Sequence, residues 1–178
     1  MTTKQYVTAN FVEERVTISD QDTAQSLLEA GYGSAIDDNG GSLLAPWEAL
    51  YLLAEDRLQV LDCRSENPMT FQTLLTHFRK EDEEVWTKYL IYRDLRSRGY
   101  VVREGFGLGV DFRLYARGTF GQKAAKYLVY TLCEGAPMAT KRLRDIHMIA
   151  QNMKKQLIVA VMDRRGEIVY YSLGSFHV

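Results

Sequence analysis

The sequence predicts a mixed α/β fold (α+β in its ordering), with a small N-terminal mixed domain over residues 1–83 and a C-terminal domain over residues 84–178. Three observations carry this prediction. Val110, Phe112 and Leu114 alternate strictly with Asp111, Arg113 and Tyr115, the pattern of a half-buried strand. The apolar run Leu157–Met162 follows a stretch of helical rhythm and reads as a buried strand. The acidic run Glu81-Asp82-Glu83-Glu84 lies between two helical patterns and marks the domain boundary, its charge also suiting a helix N-terminus.

Taken in order, FVEERVTI within Asn10–Ser19 reads as strand. Asp20 or Asp22 caps a short helix that runs through Ala30 and stops at Gly31. Ser34-Ala35-Ile36 leads into the turn signal Asp37-Asp38-Asn39-Gly40-Gly41, and Ser42-Leu43-Leu44 leads out of it. A helix opens at Pro46, a residue suited to a first turn, with Trp47, Leu50, Tyr51 and Leu53 as the expected buried stripe. Leu58–Leu61 is a brief strand. Asn67-Pro68 breaks the chain, and Thr70 begins a helix that buries Phe71, Leu74, Leu75 and Phe78.

Beyond the boundary a helix runs from about Glu84 to Arg98, with Trp86, Tyr89, Leu90 and Leu95 facing inward and Gly99 as its stop. Tyr100–Arg103 is a strand, Gly105–Gly109 a glycine-rich turn, and Val110–Tyr115 the alternating strand. Ala116–Lys123 has two glycines and no apolar rhythm, so it is a loop, and Lys126–Tyr130 resumes as strand. Thr140 caps a helix to Lys155, with Leu143, Ile146, Ile149 or Ala150, and Met153 inside. Asp163-Arg164-Arg165-Gly166 turns the strand Leu157–Met162 into Ile168–Leu173.

Composition narrows the class. The 46% hydrophobic and 25% charged content suits a globular chain with a sizeable core. No apolar run spans a membrane and no charged-then-apolar leader is present, so a cytoplasmic location is expected. Cys63 and Cys133 offer no disulfide framework or metal spacing, and both are expected as buried thiols in a reducing compartment. The net charge of −1 means that any nucleic-acid contact must come from local clusters of arginine and lysine.

Several chemistries lack their parts. Metal-dependent nucleases need clustered carboxylates, and Asp111 has no acidic companion on the next strand. No glycine-flanked serine elbow or cysteine–histidine pattern occurs. GFGLG precedes a strand rather than a helix and cannot cradle a phosphate.

DFRLYARG followed by KYLVY resembles the archaeal tRNA-splicing endonucleases (tRNA-intron endonucleases). YLIYRDLRSRGYVVREGFGLGVDFRLY is similar to that family's helix-strand-strand lead-in. QNMKKQLIVAVMDRRGEIVYY is similar to its C-terminal helix, strand and hairpin, and LLAPWEALYLLAEDRLQV to part of its N-terminal domain. The resemblance implies a restriction-endonuclease-like C-terminal catalytic domain. It also implies cleavage of precursor tRNA at intron–exon junctions in a bulge-helix-bulge, without metal or other cofactor, leaving a 2′,3′-cyclic phosphate and a 5′-hydroxyl.

The family uses Tyr, His and Lys. Tyr115 matches the tyrosine, and Lys155 the lysine, with Lys154 beside it. The histidine stands three positions before the tyrosine of the YLV strand, a place held here by Ala124. The chain's histidines are His77, His147 and His177, and alanine cannot transfer a proton, so the general acid is missing. Two accounts of Ala124 stay open: an engineered alanine that leaves the enzyme impaired, or a natural non-catalytic subunit paired with an active one. Retention of Tyr115 and Lys155 favours the first. A more distant alternative is an RNA-binding domain without catalysis.

The family's base-stacking arginine, two helical turns before the lysine, is Met148 here. Candidates for RNA contact are Arg113, Arg117, Lys123, Arg142, Arg144 and Lys154, with Arg164 and Arg165 nearby. The family works as four-unit assemblies. The resemblance therefore implies self-association through the strand Ile168 to Phe176, as a homodimer or tetramer or with a second subunit type. A second family contact seats an acidic loop in a neighbour's basic cleft, whereas Asp163–Glu167 here carries two arginines.

Overall fold

The N-terminal sheet begins with a hairpin rather than the single strand expected from FVEERVTI. In the computed structural model, which describes residues 6–36, 41–105, 107 and 109–174, β1 (Val7–Val12) and β2 (Arg15–Ile18) pair antiparallel. Glu13 and Glu14 turn the chain with φ of 49° and 61°. Two consecutive positive φ values are the mark of a tight hairpin turn, normally supplied by Asn-Gly. Glutamates in that role leave no signal in the sequence.

The chain divides into two compact units, Met1–Tyr89 and Leu90–Val178. In the first, the sheet order is β3 (Ser34–Ala35), β4 (Ser42–Leu44), β2, β1 and β5 (Leu58–Asp62), with β5 parallel to β1. Asp20 caps α1 (Gln21–Glu29) by accepting from the Thr23 backbone N–H at 2.9 Å. Residues 37–40 of the expected turn lie outside the described residues, and β3 and β4 on either side pair antiparallel.

Helix α2 (Pro46–Ala54) begins on its proline as expected, but its buried side is Trp47, Glu48, Ala49, Leu50 and Leu52. Tyr51 and Leu53 are only half-buried. The stripe is displaced because Glu48 points inward, its Oε2 accepting from the backbone N–H groups of Gly33 (2.9 Å) and Ala45 (3.0 Å). A buried carboxylate with two donors is tolerated where a bare one would not be. Thr70 caps α3 (Phe71–Glu81), which buries Leu74, Leu75 and Phe78 and leaves Phe71 half-buried.

Helix α4 (Val85–Ser97) is followed by the second sheet, ordered β10 (Ile168–Leu173), β9 (Gln156–Met162), β8 (Tyr127–Cys133), β7 (Phe112–Tyr115) and β6 (Val101–Glu104). Phe106 and Leu108 of the turn before β7 lie outside the described residues. A Cβ on Gly105 would sit 2.1 Å from the Val110 carbonyl oxygen, so only glycine closes this hairpin. β8 and β9 are parallel and the other pairs antiparallel. One face, with Phe112 and Leu114 buried, meets Tyr92 of α4 at 6.1 Å between the Tyr92 and Phe112 rings. On the other, Leu128, Tyr130 and Leu157 pack with Ile146 and Ala150 of α5 (Thr140–Asn152).

Three further expectations are corrected. Thr140 is the first helical residue, not the cap, and Ala139 in the cap position has no side chain to accept a bond. α5 ends at Asn152, since Lys154 turns into the left-handed region with φ 54°, so Lys155 lies on the link to β9 and Met153 is exposed. Finally, Cys63 and Cys133 are both exposed rather than buried. One follows the last residue of β5 and the other ends β8, so each sits at a strand exit. No helix of the described residues is long and apolar enough to cross a membrane.

Candidate active site

Strand direction brings three sequence positions together. β7 and β8 run antiparallel, so the end of β7 lies beside the start of β8; β8 and β9 run parallel, so their starts are neighbours. The Lys126 N–H donates to the Leu114 carbonyl at 2.9 Å, and the Gln156 N–H to the Lys126 carbonyl at 3.2 Å. Tyr115, the Ala124–Ala125 segment and Lys155 therefore stand at one end of three adjacent strands. At the usual strand spacing, Tyr115 and Lys155 are about 10 Å apart at the backbone, a gap that a phenol and a lysine side chain can close from either side.

They also share a face. Arg113 pairs with Leu128, and Leu128 with Leu157, so Arg113 and Tyr115 point to the side covered by α5. Lys155 arrives from the C-terminal end of α5, its backbone N–H bonded to the Ala150 carbonyl at 2.8 Å. Its ammonium donates to the Ala125 carbonyl at 2.5 Å, which ties it to the loop residue after Ala124. Ala124 itself is exposed, and Tyr115 and Lys155 are half-buried.

The loop between β7 and β8 is ordered by its own bonds. The Thr119 N–H and hydroxyl both donate to the Ala116 carbonyl, at 3.0 and 2.8 Å, and the Lys123 N–H donates to the Thr119 carbonyl at 2.9 Å. Gly118 and Gly121 take φ of 72° and 78°, which other residues avoid. The loop folds Phe120 onto Tyr115, edge to face with ring centroids 5.1 Å apart.

The basic residues divide into two groups. Arg113, Arg117, Lys123 and Lys154 belong to the Tyr115 end; Arg113 Nε donates to the Glu104 carbonyl at 2.8 Å, and the other three are exposed. Arg142 and Arg144 are not brought there. Both lie near the start of α5, about 20 Å from Lys155 at the helical rise per residue. Arg142 stacks over the Tyr130 ring at 5.1 Å, and Arg144 approaches Asp145 at 3.8 Å. Arg164 and Arg165 are exposed in the β9–β10 turn, at the far end of β9. Met148 is 52% exposed on α5. Lys126 and Tyr127, not singled out in the sequence, meet at 5.1 Å between ammonium and ring at the start of β8.

Asp111 serves the sheet. Its Oδ2 accepts from the Thr131 N–H at 2.8 Å and the Thr131 hydroxyl at 2.9 Å, joining β7 to β8. Among the described residues no three acidic, histidine or cysteine side chains converge as metal ligands. Of the histidines, His77 pairs with Glu14 at 3.0 Å in the N-terminal unit, His147 lies on α5, and His177 is outside the described residues. Phe120 and Arg103 escaped sequence reasoning, because a phenylalanine in a glycine-flanked loop carries no periodicity.

Both halves of the chain match one family. Residues 85–170 match the tRNA intron endonuclease catalytic C-terminal domain, and residues 7–75 match the N-terminal domain of the same family. The tRNA-splicing endonuclease of Methanococcus vannielii is 35% identical over 171 residues, covering 96% of this chain and 95% of that protein. That of Methanothermobacter thermautotrophicus is 33% identical over 162 residues, covering 89% and 91%. That of Pyrococcus furiosus is 32% identical over 126 residues, or 71% of each chain. With both domains matched in order and the Methanococcus vannielii protein aligned along nearly its whole length at 35% identity, this chain belongs to the tRNA intron endonuclease family.

Proposed function

We propose that the chain is a catalytic-type subunit of a tRNA-splicing endonuclease whose general acid has been replaced by Ala124. Its substrate is precursor tRNA, cut at intron–exon junctions in a bulge-helix-bulge. The observation that supports this reading best is the common position of Tyr115, residue 124 and Lys155 at the end of β7, β8 and β9.

The chemistry needs no metal. The Tyr115 oxygen takes the proton of a 2′-hydroxyl, and the freed 2′-oxygen attacks the neighbouring phosphorus. Lys155 offsets charge on the phosphorane, and the bond to the 5′-oxygen breaks. The products are a 2′,3′-cyclic phosphate and a 5′-hydroxyl. In this chain the leaving oxygen must find its proton in water, since Ala124 has none to give. Analysis of the RNA ends made by an Ala124→His chain in excess EDTA tests the scheme: cyclic phosphate and 5′-hydroxyl ends support it, and 5′-phosphate ends or a requirement for magnesium contradict it.

The same alanine favours a second reading, a structural subunit that positions an active partner. The mass of the native complex separates the two, because a second polypeptide of the same family would favour the structural role. In either reading the assembly forms through β10, an edge strand whose Val169 and Tyr171 are 48% and 55% exposed. The domains are taken as residues 1–83 and 84–178, the latter carrying the site, in a cytoplasmic protein.

A further inference from the structure

We propose that Phe120 is a positioning residue for Tyr115, itself held by the Arg103 guanidinium over its ring. The inference rests on the reading of Tyr115 as the base.

Tyr115 is the last residue of β7, so no following strand residue limits its ring. The ring is instead met by Phe120, with centroids 5.1 Å apart and planes at 83°. This is the edge-to-face arrangement that aromatic quadrupoles favour. Phe120 in turn lies under the Arg103 guanidinium, 5.8 Å from its carbon to the ring centroid. Arg103 comes from β6, where Val101 pairs with Tyr115 and Arg103 with Arg113. The guanidinium and the phenol thus project from neighbouring strands on one sheet face, and the Phe120 ring fills the diagonal between them.

The loop is built for this placement. Thr119 closes a turn on Ala116 through both its N–H and its hydroxyl, and left-handed glycines stand on either side at 118 and 121. In a solvated loop a phenylalanine gains nothing by pointing outward, and here it is half-buried against the phenol. A base that transfers a proton in the transition state needs its oxygen fixed in distance and angle. Phe120 limits the rotation of the ring, and Arg103 limits the motion of Phe120.

Single-turnover cleavage of a bulge-helix-bulge RNA by the Ala124→His chain tests this. Adding Phe120→Ala should slow the chemical step by about 10-fold or more, on the scale of an ångström-sized misplacement. RNA affinity should stay unchanged, and Phe120→Tyr should keep the full rate because it keeps the ring edge. On a Tyr115→Phe background, Phe120→Ala should have no further effect. An unchanged rate, a loss confined to RNA affinity, or a full loss on top of Tyr115→Phe overturns the proposal. If the Ala124→His chain is inactive with Phe120 intact, the catalytic reading has failed separately. The Tyr115 ring signals of the unaltered chain, followed by NMR with ring-labelled tyrosine, then decide the contact: they should shift and average in Phe120→Ala, and unchanged signals overturn it.

Discussion

The Lys155 ammonium donates to the carbonyl of Ala125, so the end of α5 is fastened to the residue that follows Ala124. The Ala124–Ala125 segment at the entry to β8 therefore has Lys155 on its β9 side and Tyr115 on its β7 side. Replacing Lys155 removes both a positive charge and a loop tether.

On the Ala124→His background, Lys155→Gln should lower single-turnover cleavage by about 10²-fold, the usual loss when one charge-stabilising donor is removed. Lys155→Arg keeps the charge with a different fork geometry and should fall between the two. Equal rates for Lys155→Gln and the parent would show that the ammonium serves the loop alone.

The edge strand β10 presents Val169 and Tyr171 on the face that α5 covers elsewhere. Two exposed apolar residues on an edge strand suit a covering strand, and in the proposed assembly a second copy across a two-fold axis would supply it. Val169→Lys with Tyr171→Lys should reduce the mass found by light scattering at micromolar concentration, with the helical signal unchanged. An unaltered chain that is already monomeric there would contradict the assembly.

Much of this architecture is legible in the sequence, and the exceptions share a cause. β7, β9 and β10 follow from alternation and apolar runs, and Pro46, Asp20 and Thr70 announce the starts of their helices. What escapes is conformation without composition: the Glu13-Glu14 hairpin and the left-handed Lys154 use residues that rarely adopt such angles. Glu48 displaces the α2 stripe because its backbone donors, Gly33 and Ala45, cannot be foreseen from periodicity. At the site, Tyr115, Ala124 and Lys155 come from motif resemblance, whereas their adjacency follows from the mixed directions of β7, β8 and β9. Phe120 had no signal to give.

Tyr170 joins β10 to α4 by donating to Asp94 at 2.6 Å, while Arg98 holds the same carboxylate at 2.7 Å and stacks over the Tyr170 ring at 5.3 Å. Burial pushes the Tyr170 phenol above its ordinary range, and the bond to Asp94 adds to the rise. A raised pKa means that the neutral phenol is favoured by folding. Its contribution is therefore complete below the ordinary phenol value near ~10 and lost progressively as pH climbs above it. Tyr170→Phe should cost about 1–2 kcal/mol at neutral pH. Its deficit in urea unfolding should narrow above pH ~10, and a deficit that grows with pH would contradict the assignment.

Cys63 and Cys133 are both exposed. In the folded protein both should react with a thiol reagent such as DTNB, since both are open to it. Two equivalents should be released without denaturant. None released until unfolding would mean that both are covered, by the fold or by a partner copy.

The substitution Ala124→His decides whether this chain is a catalytic subunit that lacks its acid. Tyr115 and Lys155 stand at the same end of the sheet, and on the proposed scheme the residue at 124 needs only a transferable proton beside them. Single-turnover cleavage of a bulge-helix-bulge RNA, measured in EDTA, should rise by about 10²-fold or more over the unaltered chain, the scale of positioned general-acid catalysis. The dissociation constant for the RNA should stay the same, and adding Tyr115→Phe should abolish the gain. An Ala124→His chain that remains inactive alone, while the unaltered chain activates a separate partner, would contradict the account.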